Sequence, residues 1–350
     1  MSLLEVDHLT HRYATTKARP VLQDVNLAVE PDEVVALVGE SGCGKTTLGK
    51  IIAGLTQPSG GTVRYEDKDI QSLRGRAKTA WRRDVQLVHQ DPYSSLNPGL
   101  SIGTTLGYGL RRHGLATHRT VEKRLLETLQ QVGLDATPAF LHRYPHQLSG
   151  GQRQRVAIAR AISLEPRLVV ADEVTSMLDV SMRVAILNLL LKFREERQIS
   201  FVFISHDFGV VRYFTRGGRI LVMFYGVVVE EGPTEQIITQ PRHPYTYHLL
   251  RAIPVPDPDV AEIRRDEDVA HRLQGEPSPT GCVFANRCPF AEDRCREAPP
   301  LAEVAPGHRA ACFFPDRVPP LTELTSLGGP TDAAGTGGRL RHTEETGHAT

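Results

Sequence analysis

A five-residue apolar run, Val34–Val38, leads directly into Gly39-Glu40-Ser41-Gly42-Cys43-Gly44-Lys45-Thr46-Thr47, and this junction restricts the fold more than any other stretch. Such a run is typical of a strand buried on both faces. The residues after it match the phosphate-loop pattern G-x-x-x-x-G-K-[ST], and Lys45–Ala53 follows as a predicted helix. Strand, glycine-rich turn and helix N-terminus are the parts a phosphate cradle needs. Its glycines let backbone N–H groups converge on phosphate oxygens, and the helix dipole favours the same charge. Lys45 is placed to reach the outer phosphates and the Thr46 hydroxyl to ligate Mg²⁺. Cys43, inside the loop, reads as a small residue fitting the turn in preference to a redox sensor.

Further apolar runs recur at Val85–Val88, Leu168–Ala171 and Phe201–Ile204, with helical patterns between them at Val121–Val132, Gln152–Ser163 and Ser181–Arg197. This alternation predicts an α/β fold with a largely parallel sheet. Ile220–Val229, broken at Gly226, reads as a hairpin at the sheet's edge. The run at Leu168 ends in Asp172-Glu173. Alone, an acidic pair after a strand more often just opens a loop. Beside a phosphate loop, Asp172 suits holding Mg²⁺ through water and Glu173 suits polarising an attacking water.

Composition bounds the partners. The chain has 350 residues, 41 basic and 41 acidic. That length exceeds one ordinary core, and the zero net charge argues against nucleic acid or an anionic membrane surface as the main partner. The longest apolar stretch is about half of the roughly 20 residues a membrane span requires. Met1-Ser2-Leu3-Leu4-Glu5 has neither a basic region nor an apolar signal core, so the expectation is a chain neither secreted nor membrane-spanning by itself. After Pro254 the texture changes: Pro256, Pro258, Pro277 and Pro279 interrupt any long element, and Cys282, Cys288, Cys295 and Cys312 crowd together. Without an export signal these read as reduced thiols or metal ligands. A region so poor in apolar runs is expected to need cross-links or metal. From Asp316 the composition predicts a disordered tail.

Leu148-Ser149-Gly150-Gly151-Gln152, followed by Arg153-Gln154-Arg155-Val156-Ala157-Ile158-Ala159-Arg160, resembles the signature of ATP-binding-cassette (ABC) ATPases. The resemblance implies that Ser149, Gly150, Gly151 and Gln152 face ATP held by a second cassette, so that two cassettes sandwich two ATP molecules. It also implies a Q-loop glutamine at Gln90 that senses Mg²⁺ and faces the membrane partner. Asp179 in Ser176-Met177-Leu178-Asp179 takes the D-loop place, and His206 in Ile204-Ser205-His206-Asp207 that of the switch histidine at the γ-phosphate. Tyr13 is the candidate for stacking on adenine, with His11 close by. The implied Mg²⁺ ligands are Thr46, Gln90 and Asp172.

The second half narrows the likeness. Arg242-His243-Pro244-Tyr245-Thr246 with Leu249-Leu250-Arg251-Ala252-Ile253-Pro254 is similar to the extension on ATPase subunits of peptide and nickel importers. So are Gly281-Cys282-Val283-Phe284-Ala285-Asn286-Arg287-Cys288-Pro289 and Asp91-Pro92-Tyr93-Ser94-Ser95-Leu96-Asn97-Pro98. The expected organisation is a nucleotide-binding domain over 1–254, with a helical subdomain at about 91–165, then a four-cysteine extension over 255–315 and a tail over 316–350. In some members of that family such cysteines are understood to hold a [4Fe–4S] cluster, a chemistry four thiolates suit. Buried free thiols and structural zinc stay open as other readings.

Four places depart from the family pattern: Val174 stands for proline, Met177 for alanine, Thr215–Arg219 for an acidic turn, and Gly103–Gly109 is glycine-rich where helix is usual. Valine is expected to loosen the loop positioning Glu173, and Met177 to reach a dimer interface. Slower hydrolysis, or reliance on an asymmetric partner, follows as the expectation. The resemblance implies an ATP hydrolase at the cytoplasmic face of the membrane that powers peptide import through two permease subunits fed by an extracytoplasmic binding protein. Nickel uptake, a soluble non-transport ABC ATPase and a metal-sensing module are the alternatives.

Overall fold

The computed structural model describes residues 2–13, 19–253 and 276–321. The chain opens with β1 (Leu4–His11), β2 (Leu22–Val29), β3 (Val34–Val38), α1 (Lys45–Ile52), β4 (Gly60–Tyr65), β5 (Lys68–Asp69), α2 (Gly75–Asp84) and β6 (Val85–Val88). A helical stretch follows: α3 (Pro92–Ser95), α4 (Ile102–Arg112), α5 (Val121–Gln131), α6 (Pro138–Leu141) and α7 (Gly150–Ile162). The chain returns with β7 (Leu168–Asp172), α8 (Val180–Arg197), β8 (Ser200–Ile204), α9 (Phe208–Phe214), β9 (Arg219–Phe224) and β10 (Val227–Pro233). It closes with α10 (Thr234–Thr239), α11 (Pro244–Arg251), β11 (Ala302–Ala305) and β12 (His308–Ala310).

Among the described residues these strands form two sheets, ordered β2-β1-β4-β5 and β11-β12-β10-β9-β3-β8-β7-β6. The centre of the larger sheet, β9-β3-β8-β7-β6, is parallel throughout. Its strands are apolar on nearly every residue because both faces are covered, the exceptions being Gln86 and the strand-end residues Asp172, Ser200 and Arg219. Val34, Ala36, Phe201, Phe203, Val169 and Ala171 point to one core, and Val35, Leu37, Val202, Ile204, Leu168 and Val170 to the other. That alternation is the two-residue period of a strand, with helices α4, α5, α7 and α8 on the first face and α1 with the smaller sheet on the second.

Three expectations change here. The glycine-rich stretch is helical after all: Gly103, Gly107 and Gly109 lie inside α4. A Cβ at Gly103 would sit 3.1 Å from the Leu141 carbonyl oxygen and one at Gly109 3.4 Å from Leu164, so small residues allow close packing that offsets their helix cost. The Ile220–Val229 hairpin exists as β9 and β10 but is not at an edge, because β12 pairs with Glu230 and Glu231 of β10. An unpaired edge strand leaves a row of backbone groups open, and the cysteine-bearing region closes it. Among its described residues, that region packs into the main core without a separate cluster of its own. Cys282, Val283, Phe284 and Cys295 join the main core.

Ordered structure also continues past Asp316. Val318 and Leu321 are buried, and Leu321 N–H donates to the Thr239 carbonyl at 2.8 Å. The rest of the expected tail, 322–350, and the Pro254–Pro258 stretch lie outside the described residues.

Candidate nucleotide site

Strand β3 delivers the phosphate loop to the C-terminal edge of the parallel sheet, the usual place for a ligand in such folds. Gly39 turns the chain at φ 152°, where a Cβ would lie 2.1 Å from the Met223 carbonyl oxygen; only glycine fits. Gly44 heads α1 at φ 109°, and no side chain caps that helix, which leaves its first N–H groups to an incoming anion. The Lys45 ammonium donates to the carbonyls of Gly39 (2.7 Å) and Glu40 (2.9 Å) and lies 3.6 Å from Cys43 Sγ. Burial pushes the Cys43 thiol pKa up, against the pull of Lys45. The Thr46 hydroxyl donates to Asp172 Oδ1 at 3.1 Å. Burial raises the Asp172 carboxyl while that bond holds it down. Tyr13 stands over the loop, its hydroxyl 3.2 Å from Thr47 Oγ1. Its ring is accessible, whereas His11, edge-on to it at 4.6 Å, is buried.

The ends of β6, β7 and β8 bring Gln90, Glu173 and His206 together. Gln90 Nε2 donates to Glu173 Oε2 at 2.9 Å, and His206 Nδ1 lies 3.3 Å from Glu173 Oε1. Glu173 sits at φ 46°, an uncommon backbone for a residue with a side chain. Tertiary bonds hold it there. Its N–H donates to the Ile204 carbonyl (3.0 Å), and its carbonyl accepts from Ser176 N–H (3.1 Å) and the Ser176 hydroxyl (2.9 Å). Val174, next to it, is buried in the core. Met177 is 63% exposed and, with Val180 and Val184, leaves an apolar stripe uncovered at the start of α8.

Ser149 and Asp179 lie in a second group. Ser149 Oγ accepts from Gln152 N–H at 3.2 Å while Gln152 Oε1 accepts from Ser149 N–H at 3.0 Å, a reciprocal cap on α7. Oε1 of the Gln152 carboxamide is engaged in that cap. Gly151 packs under Met182, whose Cε would be 1.9 Å from an added Cβ. Asp179 caps α8 by accepting from Met182 N–H (2.9 Å) and the Ser181 hydroxyl (2.7 Å), and these bonds lower its pKa. None of these hydrogen bonds reaches the phosphate loop of the same chain.

Residues 22–176 match the family model "ABC transporter", and residues 229–295 match "Oligopeptide/dipeptide transporter, C-terminal region". A probable peptide ABC transporter ATP-binding protein, y4tS, of Sinorhizobium fredii is 42% identical over 89% of each chain. The chain belongs to the ABC transporter ATPases. The oligopeptide transport ATP-binding protein OppF of Salmonella typhimurium is 38% identical over 86% of this chain and 89% of its own. A dimeric ABC cassette, MJ0796, solved in a post-hydrolysis state with ADP and phosphate, is 33% identical with a TM-score of 0.59, covering 66% of this chain and 98% of that one. ABC ATPases of this kind use ATP and Mg²⁺ and, in importers, pair as dimers beneath permease subunits. Among the described residues of this cassette, no helix is long and apolar enough to cross a membrane.

The four clustered cysteines of the ABC chain are free thiols. They line one small cavity of about 10 Å³ together with His243 and Phe284. That volume takes about one water. Burial pushes Cys288 up to about 12 and Cys312 up to about 11. Among the described residues no three His, Cys, Asp or Glu side chains form a group able to hold a metal ion. The donor set suits a cluster, but the space as it stands does not. Sequence reading missed three further partners of the site. Glu40 of the phosphate loop meets Tyr245 and Arg287, which are 205 and 247 residues away along the chain, and no spacing rule links them. Tyr93 after the Q-loop lies 3.5 Å under the Arg153 guanidinium of the signature helix.

Proposed function

We propose that this chain is the ATP-hydrolysing subunit of a peptide importer, working at the cytoplasmic face of the membrane as one of two cassettes beneath two permeases supplied by an extracytoplasmic binding protein. The observation that carries this reading is the convergence of Gln90, Asp172, Glu173 and His206 beside the Lys45–Thr46 loop. The match of residues 229–295 to the oligopeptide/dipeptide transporter region supports the peptide class. The reading divides the chain into a nucleotide-binding domain over about 1–254 and an extension from about 255.

In this reading Tyr13 stacks on adenine and the loop from Gly39 to Thr47, with Ser41 and Gly42 at its turn, wraps the phosphates. Lys45 exchanges its carbonyl partners for phosphate oxygens. Thr46, Asp172 and Gln90 supply the oxygen ligands Mg²⁺ prefers, and that ion would neutralise charge on the β- and γ-phosphates. Glu173, aimed by Gln90 and His206, takes the proton of the attacking water, and His206 then contacts the γ-phosphate. Ser149, Gly150, Gly151 and Asp179 complete the site of the opposite cassette; the separation of the two residue groups supports that arrangement. Glu173→Gln is expected to bind ATP, to lower turnover by about 10²–10⁴-fold and to accumulate as a dimer. Unchanged turnover rejects Glu173 as the base.

Uptake of labelled peptides by vesicles carrying the copurified permeases tests the substrate class, and transport of nickel in place of peptide rejects it. The [4Fe–4S] assignment to Cys282, Cys288, Cys295 and Cys312 rests on their convergence on one cavity, and loading requires that shell to open. Iron analysis and the visible spectrum of anaerobically prepared protein test it; a colourless, iron-free, folded preparation rejects the cluster.

A further inference from the structure

Every polar group of Glu40 is engaged, and one of its partners, Arg287, comes from the cysteine-bearing extension. Its carbonyl accepts from Lys45 at 2.9 Å. Its N–H donates to the Tyr245 hydroxyl at 2.8 Å, and its carboxylate takes both oxygens to Arg287 Nη1 at 3.4 Å. Neither partner is a mobile surface group. Tyr245 is fully buried, its ring 4.5 Å from Phe224 and 5.5 Å from Phe284. Arg287 is 8% exposed and lies over the Phe224 ring at 5.3 Å. It ends the helical turn Ala285–Arg287, between Cys282 and Cys288.

The physical need is plain. A carboxylate within a loop that wraps a polyanion repels it unless a cation neutralises the charge, and a buried guanidinium in turn needs an anion. The tyrosine bond fixes the Gly39–Glu40 peptide plane, and with it the Gly39 carbonyl, which accepts from Lys45 at 2.7 Å. We propose that Arg287 and Tyr245 are positioning residues of the phosphate loop, so that the cysteine-bearing extension sets nucleotide affinity through Glu40. This rests on the reading of the Lys45 loop as the ATP site.

The test uses the full chain, titrated with trinitrophenyl-ATP and assayed for steady-state ATP hydrolysis. Arg287→Gln is expected to weaken binding and raise KM about five- to tenfold with kcat changed less than about twofold, because the charge acts on binding and not on the water at Glu173. Glu40→Gln introduced into Arg287→Gln restores most of that loss, since a neutral amide needs no counter-ion. A merely structural arginine would show the same loss with either residue at position 40. Tyr245→Phe removes one oxygen from a packed ring and is expected to raise KM about threefold. Wild-type affinity in Arg287→Gln, or a double variant no tighter than Arg287→Gln, overturns the proposal. Unchanged KM in Tyr245→Phe does so as well, and that variant stays informative if Arg287→Gln fails to fold. Lys45→Ala serves as the separate control: undiminished nucleotide binding there rejects the ATP site itself, whatever the Arg287 series shows.

Discussion

Glu230 offers the sharpest test of how the extension is attached. It is fully buried in β10, and its carboxylate accepts three hydrogen bonds: Oε1 from Arg242 N–H (2.6 Å) and His308 Nε2 (2.7 Å), and Oε2 from His243 N–H (3.0 Å). One side chain thereby ties β10 to β12 and to the segment that starts α11. Glu230→Ala strips all three donors at once. Each buried donor left unpaired costs about 1–3 kcal/mol, and partial relaxation brings the total to about 3–5 kcal/mol, as for other buried pairs broken from one side. For a chain of this size that corresponds to a fall of roughly 4–7 °C in Tm.

Glu230→Gln separates charge from geometry. Its oxygen can serve the two donors now at Oε1, but its NH₂ then faces His243 N–H, so one donor is orphaned and the cost is about 1–3 kcal/mol. Urea unfolding by circular dichroism measures both variants, and hydrogen exchange over residues 302–311 shows whether β11 and β12 detach first. Because Arg242 and His243 lead into the helix bearing Tyr245, the alanine variant is also expected to raise KM for ATP. Less than about 1 kcal/mol lost in Glu230→Ala, or a larger loss in the glutamine variant, refutes this account.

Three further outcomes follow from local geometry. His243 is buried and held neutral, with its pKa lowered to about 3 chiefly by desolvation, and its Nδ1 accepts from Tyr245 N–H. The unfolded chain therefore binds a proton below about pH 6.5 that the folded chain does not, and acidification from pH 7 to 5 should cost about 2 kcal/mol from this group. His243→Asn, which still caps the helix, should flatten that part of the Tm–pH curve; an unaltered curve counts against it. The Cys288 and Cys312 thiols, pushed up by burial, should react with iodoacetamide at pH 8 roughly 10²-fold more slowly in the native, chelator-treated chain than in urea, and equal rates contradict their burial. Gly44→Ala would place a Cβ 2.7 Å from the Val21 carbonyl oxygen at φ 109°, so a Tm loss equivalent to about 2 kcal/mol or more is expected, and wild-type stability disproves the clash.

The local features were readable residue by residue. Val34–Val38 and Leu168–Ala171 announce themselves as two-faced strands because every residue is apolar, and the glycines with Lys45 and Thr46 can occupy few backbone shapes other than a phosphate loop. Ser149 and Asp179 occupy helix starts, where their residue types belong. The glycines of α4 misled, since their intrinsic helix cost is visible in a sequence while the close approach of Leu141 and Leu164 that outweighs it is not.

Contacts between distant segments were out of reach. Glu173 could be named as an acid, but its left-handed backbone and its aim between Gln90 and His206 come from neighbouring parallel strands. The extension looked like a module in need of its own staples; instead it completes an edge of the main sheet, shares the main core and grips Glu40 through Arg287. Short-range chemistry is written in adjacent residues because backbone sterics and hydrogen bonding act over a few positions. The partners of a buried charge such as Glu40 or Glu230 depend on which strands lie side by side, and that follows from burying both faces of one sheet at once.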